Sequence, residues 1–300
     1  MGRVTVDIAV DGGVRTEVSR ASGRDRGLPA PFRRSPLALT ALAVVGAWAL
    51  LAATAPALAP YAPLQQDIAN RLAPPSVVHW LGTDALGRDV LSRILYGGRI
   101  SIPVGIAAVV LAAGAGVVVG GVAGYVGRLV DEAVMRATDL MLAFPTVIFA
   151  LVITAALGAG IRNAVLAIMV AWWPTYARLA RGLVLAVRER EYVQVAAALG
   201  ASDSRILLRY VAPNVVSSII VLGTLDVGHA ILTFASLSFL GLGPPPEVPE
   251  WGSMIAAGRN HFDQWWIGTF PGLAILSLTI AFNVVGDSLR DFLDPRLRKT

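Results

Sequence analysis

The sequence predicts an all-α protein that crosses a membrane six times. Of its 300 residues, 55% are hydrophobic and 15% are charged, and the mean hydropathy is +0.65. These values lie outside the usual range of soluble domains. Six apolar and mostly uncharged stretches occur near residues 37–59, 100–124, 140–161, 163–177, 215–240 and 265–286. Most are long enough to cross about 30 Å of hydrocarbon at about 1.5 Å per helical residue.

The first apolar stretch, residues 37–59, has two interpretations. Residues 1–36 are rich in Arg, Gly and Asp and poor in aromatic residues, which predicts a disordered tail. Arg33-Arg34, the apolar run and Ala57-Leu58-Ala59 together fit a secretory signal with a cleavage site. The run is longer than the roughly 7–15 apolar residues typical of such a signal. An uncleaved membrane helix is therefore the favoured interpretation.

Residues 60–99 are predicted to form a loop with an interfacial helix. Gly82, Gly87, Gly97 and Gly98 permit tight turns, and the charged residues Arg88, Asp89 and Arg93 are close enough in sequence to form local ion pairs. This loop is either a structural cap or a contact surface for another protein.

Residues 100–290 are predicted to form a core of five helices. In the second helix, Ala112, Gly116, Gly120 and Gly124 recur at four-residue intervals. Small residues on one face let helix backbones approach closely in a membrane, so this face predicts a packing seam, within the chain or against a partner. The third helix is expected to begin early enough to include Arg136 and Asp139. The fourth is expected to continue through Arg178 and Arg181, whose side chains can reach the interface.

The segment from Glu191 to Asn214, EYVQVAAALGASDSRILLRYVAPN, predicts two short helices with a turn at Gly200. Gly200 can adopt the left-handed conformation that ends a helix, Ser202 is a favourable N-cap, and Pro213 is expected to limit the second helix. Each helix has an apolar face, formed by Tyr192, Val195, Ala196 and Leu199 in the first and by Ile206, Leu207, Tyr210 and Val211 in the second. The segment is either a docking surface for a soluble partner or a solvated hairpin.

The distribution of basic residues predicts the orientation. With the N-terminus inside, 18 Lys and Arg residues fall on the cytoplasmic side, including the tail 291–300, and six fall outside. This asymmetry follows the positive-inside bias and places both termini and the Gly200 turn in the cytoplasm. Membrane topology thus accounts for the basic composition without a nucleic-acid partner.

No pattern in the sequence indicates chemistry carried out by this chain. There is no cysteine, no G-x-x-x-x-G-K-[ST] phosphate-binding loop and no G-x-S-x-G motif, and His79, His229 and His261 lack metal-ligand spacing. We therefore expect a non-enzymatic chain with no cofactor or metal of its own.

Four ordered segments resemble signatures of ATP-binding-cassette (ABC) importer permeases. The Glu191–Asn214 segment resembles the EAA loop of these permeases, although Gln194-Val195-Ala196 stand where Glu-Ala-Ala is usual and Ala212 where Leu commonly precedes Pro213. Residues 79–105, 235–255 and 282–299 resemble the C-type permease subunit of dipeptide, oligopeptide and nickel importers. The resemblance extends from about Leu37 to Lys299.

This resemblance implies a type I permease fold in a bacterial inner membrane. It also implies a second homologous permease subunit, one or two ATPase subunits that bind ATP and Mg, an extracytoplasmic substrate-binding protein and a short-peptide cargo. The loop over residues 188–214 would couple to the ATPase through Glu191, Gln194, Ala196, Ala197, Gly200, Ala201, Ser202, Asp203, Arg205, Arg209 and Pro213. Alternatives are nickel or another small solute as cargo, or a stand-alone channel or membrane enzyme.

Two pairs of ionisable residues are candidates for a gate or a pathway. Arg136 and Asp139 are three residues apart, so they are expected to meet on one helix face, as an interfacial anchor or as part of an inner gate. Asp226 and His229 have the same spacing within the fifth helix. They either hold neighbouring helices together or line the translocation pathway.

Overall fold

The computed structural model describes residues 35–293, so the predicted tails lie almost entirely outside the described residues. Within this range the fold is all-α, and its only β feature is an isolated bridge between Thr83 and Asp89. The helices are α1 (Pro36–Ala53), α2 (Ala55–Leu58), α3 (Val90–Val126), α4 (Arg128–Leu142), α5 (Thr146–Leu157), α6 (Ile161–Arg188), α7 (Glu191–Ala198), α8 (Asp203–Ile206), α9 (Ala212–Phe239), α10 (Trp251–Gly258) and α11 (Trp266–Leu293). A 3₁₀ turn (Ile68–Asn70) precedes α3, and a π-helical turn (Leu207–Val211) joins α8 to α9.

The first predicted span corresponds to α1 and α2 together. Ser35 caps α1 by accepting a hydrogen bond from the Ala38 amide at 3.3 Å, and Pro36 occupies the first turn, where its missing amide hydrogen costs nothing. Trp48 in α1 donates a hydrogen bond to Ser277 in α11 at 2.9 Å. This helix therefore packs against the last helix of the chain.

The long helix α3 begins before the predicted second span. Asp89 caps it by accepting from the Ser92 amide at 2.7 Å, and the helix continues without interruption to Val126. Residues 90–99 thus form the first turns of α3 rather than a separate interfacial helix. Gly97 lies inside the helix and does not form a turn. It permits close packing instead, because a Cβ there would lie 2.7 Å from the Trp251 ring.

The small residues of α3 form a seam with α6 of the same chain. An added Cβ would lie 2.4 Å from Cβ of Tyr176 at Gly116, 2.0 Å from the Ala177 carbonyl oxygen at Gly120, and 3.1 Å from the Arg181 carbonyl oxygen at Gly124. The backbones touch along this line, as small residues permit in a membrane. Of the two alternatives left open by the sequence, the structure selects packing within the chain.

The predicted third helix is broken. Helices α4 and α5 meet at an angle of 91° across a short break that ends at Pro145. A proline disfavours helical geometry in the residue before it, which gives a physical reason for the break. Arg136 and Asp139 consequently lie in α4, an amphipathic helix that is bent away from the apolar helix α5.

Four helical segments meet the length and hydropathy expected of a membrane span: α1, α3, the continuous segment 203–239 that ends with α9, and α11. The bent pair α4 and α5 gives a fifth if it is counted as one span. Helix α6 is long enough, at 28 residues, but is less apolar because it contains Pro174, Tyr176, Arg178 and Arg181. As expected, it continues through both arginines.

The helices define two ends of a bundle. The Gly200 end holds the last turns of α3 and α6, the helices α7 and α8, and the start of α9. The Trp251 end holds the start of α3, the end of α9, the short helix α10 and the start of α11. Between them lies an apolar core that includes Ala108, Ile168, Ile231, Phe234 and Leu278.

Candidate coupling loop and pathway residues

Gly200 forms the turn that the sequence predicts. Its φ is +83°, in the left-handed region. The Gly200 amide donates to the Ala197 carbonyl at 2.9 Å, and the Ala201 amide donates to the Ala196 carbonyl at 3.0 Å. These two bonds are those of a Schellman motif with glycine at the left-handed position. Nothing lies within 4 Å of a Cβ added at Gly200, so backbone conformation, not space, requires glycine here.

The coupling loop, residues 188–214, exposes an apolar face. Leu199 is 83% exposed, Val195 57% and Tyr192 43%, and these residues lie on one side of α7. The opposite side is anchored by Val193, which is buried with Val184, Ile206 and Val211. Three residues of the face predicted for α7 are therefore exposed, whereas Ala196 is half-buried and the Tyr192 ring lies 6.1 Å from that of Tyr210.

The polar residues of the loop are mostly exposed. Gln194 donates to the Glu189 carbonyl at 3.3 Å, and Glu191 lies in the first turn of α7. Between residues 35 and 293, Arg205 and Arg209 have no ion-pair partner. Both guanidinium groups are thus available to acidic groups of another protein.

The start of the second loop helix differs in part from the prediction. Ser202 is the N-cap of α8, but its hydroxyl lies 3.3 Å from that of Ser204 and does not bond to the helix amides. Pro213 does not end the helical segment, which continues into α9. The π-helical turn Leu207–Val211 precedes it, and Pro213 occupies the first turn of α9, where a missing amide hydrogen is tolerated. The expectation for Pro213 was wrong for this reason.

The coupling loop is tied to the end of α3. The Tyr125 hydroxyl donates to Asp203 Oδ1 at 2.6 Å. On the other flank of the loop, Arg188 Nη1 donates to the carbonyls of Gly124 at 3.0 Å and Tyr125 at 2.6 Å, and its guanidinium lies 5.1 Å from the centre of the Tyr125 ring. Tyr125 was not identified from the sequence. Its position at the end of a predicted span was the only available signal.

Arg136 and Asp139 do not pair with each other, so that expectation was wrong. Arg136 binds Glu132 one turn earlier in α4, at 2.7 Å, and Asp139 accepts from Arg178 of α6 at 2.5 Å. Glu before Arg at a spacing of four residues is a favourable helical pair, and α6 crosses near enough to supply a second arginine. Arg181 of α6 also binds Asp131 through two bonds of 2.6 Å each.

Asp226 is held mainly by a residue of another helix. The Tyr176 hydroxyl of α6 donates to Asp226 Oδ2 at 2.6 Å, whereas His229 Nδ1 lies 3.8 Å from Asp226 Oδ1. The expected proximity of Asp226 and His229 is therefore present, but the tighter partner is Tyr176. The Asp226 side chain is 19% exposed and that of His229 is 54% exposed. Close packing at Gly116 fixes the backbone that carries Tyr176.

These contacts are suited to recognition and movement. Within residues 35–293 there is no group of three or more His, Cys, Asp or Glu side chains that could hold a metal ion. The coupling loop offers an apolar face with free arginines, and Asp226 offers a partly accessible carboxylate inside a helical bundle.

Sequence comparisons define the class of protein. Residues 116–299 match the family described as binding-protein-dependent transport system inner membrane component. Residues 30–75 match the N-terminal transmembrane domain of oligopeptide transport permease C. The chain belongs to this family of inner-membrane permease subunits of ABC importers, which are non-catalytic multi-pass membrane proteins that act with ATPase and substrate-binding components.

Three curated relatives cover most of the chain. A probable D,D-dipeptide transport system permease protein of Escherichia coli is 42% identical over 88% of this chain and 89% of its own length. The dipeptide transport system permease protein of Alkalihalophilus pseudofirmus is 40% identical over 89% and 88%. The nickel transport system permease protein of Escherichia coli is 42% identical over 86% and 93%. The membership removes a stand-alone channel or membrane enzyme as an interpretation.

Proposed function

We propose that this chain is one of two homologous permease subunits of an ATP-driven importer for dipeptides or short oligopeptides. The complete complex would add one or two ATPase subunits, which bind ATP and Mg, and an extracytoplasmic substrate-binding protein. The observation that carries the proposal is the exposed coupling loop, whose α8 continues through the π-helical turn into α9. Movement of a docked partner would thereby reach a membrane helix directly.

The proposed orientation places the Gly200 end in the cytoplasm, together with both termini. The excess of arginine at this end supports it. We count α6 as the sixth span, because a helix enclosed by other helices requires less apolar surface than a lipid-facing one. Its residues Ala167, Ile168, Ala171 and Ala180 are almost fully buried within the chain.

The coupling mechanism follows from the contacts of the loop. An ATPase would dock on the face formed by Tyr192, Val195 and Leu199, with Arg205 and Arg209 pairing with acidic groups. Rigid movement of the loop would pull α3 through Tyr125 and Arg188 and turn α9. The result would be rocking of the helices between outward and inward openings.

The cargo assignment rests on the two dipeptide permeases among the relatives and on Asp226. A carboxylate within an apolar helix is costly unless it faces protein or water. The Asp226 carboxylate would meet the positively charged amino end of a peptide. The contact would be weak, because a tight site would impede release.

Nickel is the second candidate cargo. The nickel permease is as similar as the D,D-dipeptide permease, and the neighbouring groups Asp226 and His229 are also metal-ligand types. The complex should be reconstituted in proteoliposomes with its cognate binding protein and tested with labelled dialanine and with Ni²⁺. Uptake of dialanine that excess Ni²⁺ does not inhibit supports the peptide assignment. Uptake of Ni²⁺ that excess dialanine does not inhibit would make nickel the cargo instead.

The pathway role of Asp226 is tested by accessibility. The chain lacks cysteine, so the Asp226→Cys variant carries a single reactive thiol in this subunit. We expect a small polar thiol reagent to modify it at a rate that changes with nucleotide. The core residue Phe234, fully buried on the same helix, provides a control as Phe234→Cys. An unreactive thiol at 226 in both resting and ATP-trapped complexes would leave only a packing role.

A further inference from the structure

A cavity of about 570 Å³ lies at the Trp251 end, away from Asp226. It is enclosed by the end of α9, the proline loop 244–246, helix α10 and the residues that precede α3. Its polar lining includes Asp84, Arg88, Arg93, Ser253 and Arg259. This volume falls within the range of sites for small molecules, about 300–1,000 Å³.

The lining of the cavity carries more positive than negative charge. Asp84 Oδ2 accepts from Arg88 Nε at 2.7 Å, and Arg93 Nε lies 3.8 Å from the same oxygen. The lining therefore contains three arginines and one carboxylate, and only Arg88 and Arg93 lie near that carboxylate. Arg88 and Arg93 are 7% and 3% exposed, so solvent screens their charges poorly.

Backbone oxygens hold the two buried arginines but do not neutralise them. Arg88 Nη1 donates to the Pro246 carbonyl at 3.2 Å, and Arg93 Nη2 donates to the same oxygen at 3.4 Å. Arg93 Nη1 donates to the Pro63 carbonyl at 3.2 Å. These bonds fix the orientation of both guanidinium groups before any ligand enters.

Arg259 is the exposed arginine of the cavity. Its guanidinium lies 5.4 Å from the centre of the Phe239 ring, and in the described part of the chain it has neither an ion pair nor a hydrogen bond to its side chain. The aromatic contact positions the planar group and leaves its donors free. Such a group can bind a carboxylate through two parallel hydrogen bonds.

We propose that this cavity binds the carboxylate end of a small solute, with Arg259 as the main contact. For a peptide importer, which is the proposed function on which this inference rests, the solute is the cargo and the group is its C-terminal carboxylate. Ser238, at the cavity, and Asp226 are 12 residues apart on α9, or about 18 Å along the helix. The cavity and Asp226 are thus separate stations of opposite charge, too far apart for one dipeptide to contact both at once.

The test uses thiol protection in the complete complex. Ala257 is exposed and lines the cavity, so the Ala257→Cys variant reports its occupancy when an uncharged thiol reagent is used and labelling of this chain is measured. We expect millimolar dialanine to slow labelling and C-terminally amidated dialanine to leave the rate unchanged. When Arg259→Gln is combined with Ala257→Cys, the protection by dialanine should weaken roughly tenfold, as expected for loss of a charge-assisted hydrogen bond.

Arg71→Gln is the matched control, because Arg71 is an exposed arginine of the loop before α3 that does not line the cavity. It should retain full protection. Equal protection by dialanine and its amide, or protection that survives Arg259→Gln, overturns the proposal. The proposal is also overturned if the cargo-free binding protein protects the cysteine at position 257 and dialanine does not. The cavity would then be a contact surface for that protein.

The two proposals fail separately. Uptake of dialanine without any protection of position 257 removes the carboxylate site and leaves the importer function. The site is supported even when dialanine is not transported, provided that protection requires both Arg259 and a free carboxylate on the added compound, and in that case only the cargo assignment fails. Acetate carries such a carboxylate and serves as an additional probe.

Discussion

The two ends of the bundle are stabilised in different ways. At the Trp251 end, a charged group is buried within the fold: Glu250 is fully buried and caps α10 through the amides of Gly252 and Ser253, at 2.8 and 2.9 Å. At the Gly200 end, the ion pair between Arg178 and Asp139 has side chains that are 54% and 65% exposed. Substitutions should therefore change stability at the Trp251 end and coupling at the Gly200 end.

The largest expected effect on stability is at Trp251. The side chain is fully buried, its Nε1 donates to the Ile94 carbonyl at 3.0 Å, and its ring meets Trp48 edge-on at a centroid distance of 5.2 Å. Replacing a buried aromatic side chain with alanine leaves a cavity, so Trp251→Ala should lower the free energy of unfolding by about 3–5 kcal/mol. Denaturant unfolding of the purified complex measures this change.

Phe262 is the control for this prediction, because it lies at the same end but is 84% exposed. Phe262→Ala should change the free energy of unfolding by no more than about 0.5 kcal/mol. Equal losses in both variants would mean that burial within this chain does not determine stability at the Trp251 end.

Gly200 tests the expectation that substitutions at the Gly200 end change coupling and not stability. In the Gly200→Val variant a β-branched residue must adopt φ near +83°, which costs about 1–2 kcal/mol in favour of a rearranged turn. That energy reduces the population of the native loop about tenfold. We expect loss of uptake and of cargo-stimulated ATP hydrolysis, while the subunit still inserts and unfolds at the same temperature.

Two variants control the Gly200 result. Gly200→Asn should recover much of the activity, because asparagine tolerates the left-handed region. Gly182→Val should be close to wild type, since Gly182 lies in α6 with nothing within 4 Å of an added Cβ. Normal coupled hydrolysis in Gly200→Val would show that the loop does not couple to the ATPase.

The sequence predicted most of the features that depend on local patterns. Apolar runs located the helices, and the left-handed requirement located the Gly200 turn. Spacing along one helix did not predict the partners of Asp139 and Asp226, because Arg178 and Tyr176 belong to α6, about 40–50 residues away. The packing of α6 brings these groups together, and no short-range pattern encodes it. The break before Thr146 coincides with Pro145, a residue type that can kink or end a helix.

Glu250 provides a test by pH. Burial is the main cause of the raised pKa of this carboxyl group, which exceeds its ordinary value of 4.5. The folded protein then binds a proton more tightly than the unfolded chain, so the contribution of Glu250 to stability falls as pH rises from about 4.5 through the folded-state pKa. Melting temperatures measured across this interval should show the decline in the wild type.

Glu250→Gln should flatten this part of the pH profile, because the amide does not titrate. It should also lower stability at acidic pH, where Glu250 is protonated, since a single amide oxygen replaces the two acceptor oxygens at the cap. The exposed neighbour Glu247 is the control, and Glu247→Gln should keep the wild-type profile. An unchanged slope in Glu250→Gln would assign the pH dependence to other groups.

The smallest effect on stability is expected for Asp139→Asn. Exposed ion pairs contribute about 0–1 kcal/mol, and this one joins α4 to α6 without burial. The paired test is Asp131→Asn, because Asp131 makes two bonds to Arg181 and its side chain is only 17% exposed. Asp131→Asn should therefore reduce assembly more. If Asp139 belongs to an inner gate, its variant should alter the uptake rate while the amount of assembled complex stays constant. A parallel fall in uptake and assembly would identify the Asp139–Arg178 pair as an anchor for α4, and the Gly200 end would then combine coupling with stabilisation.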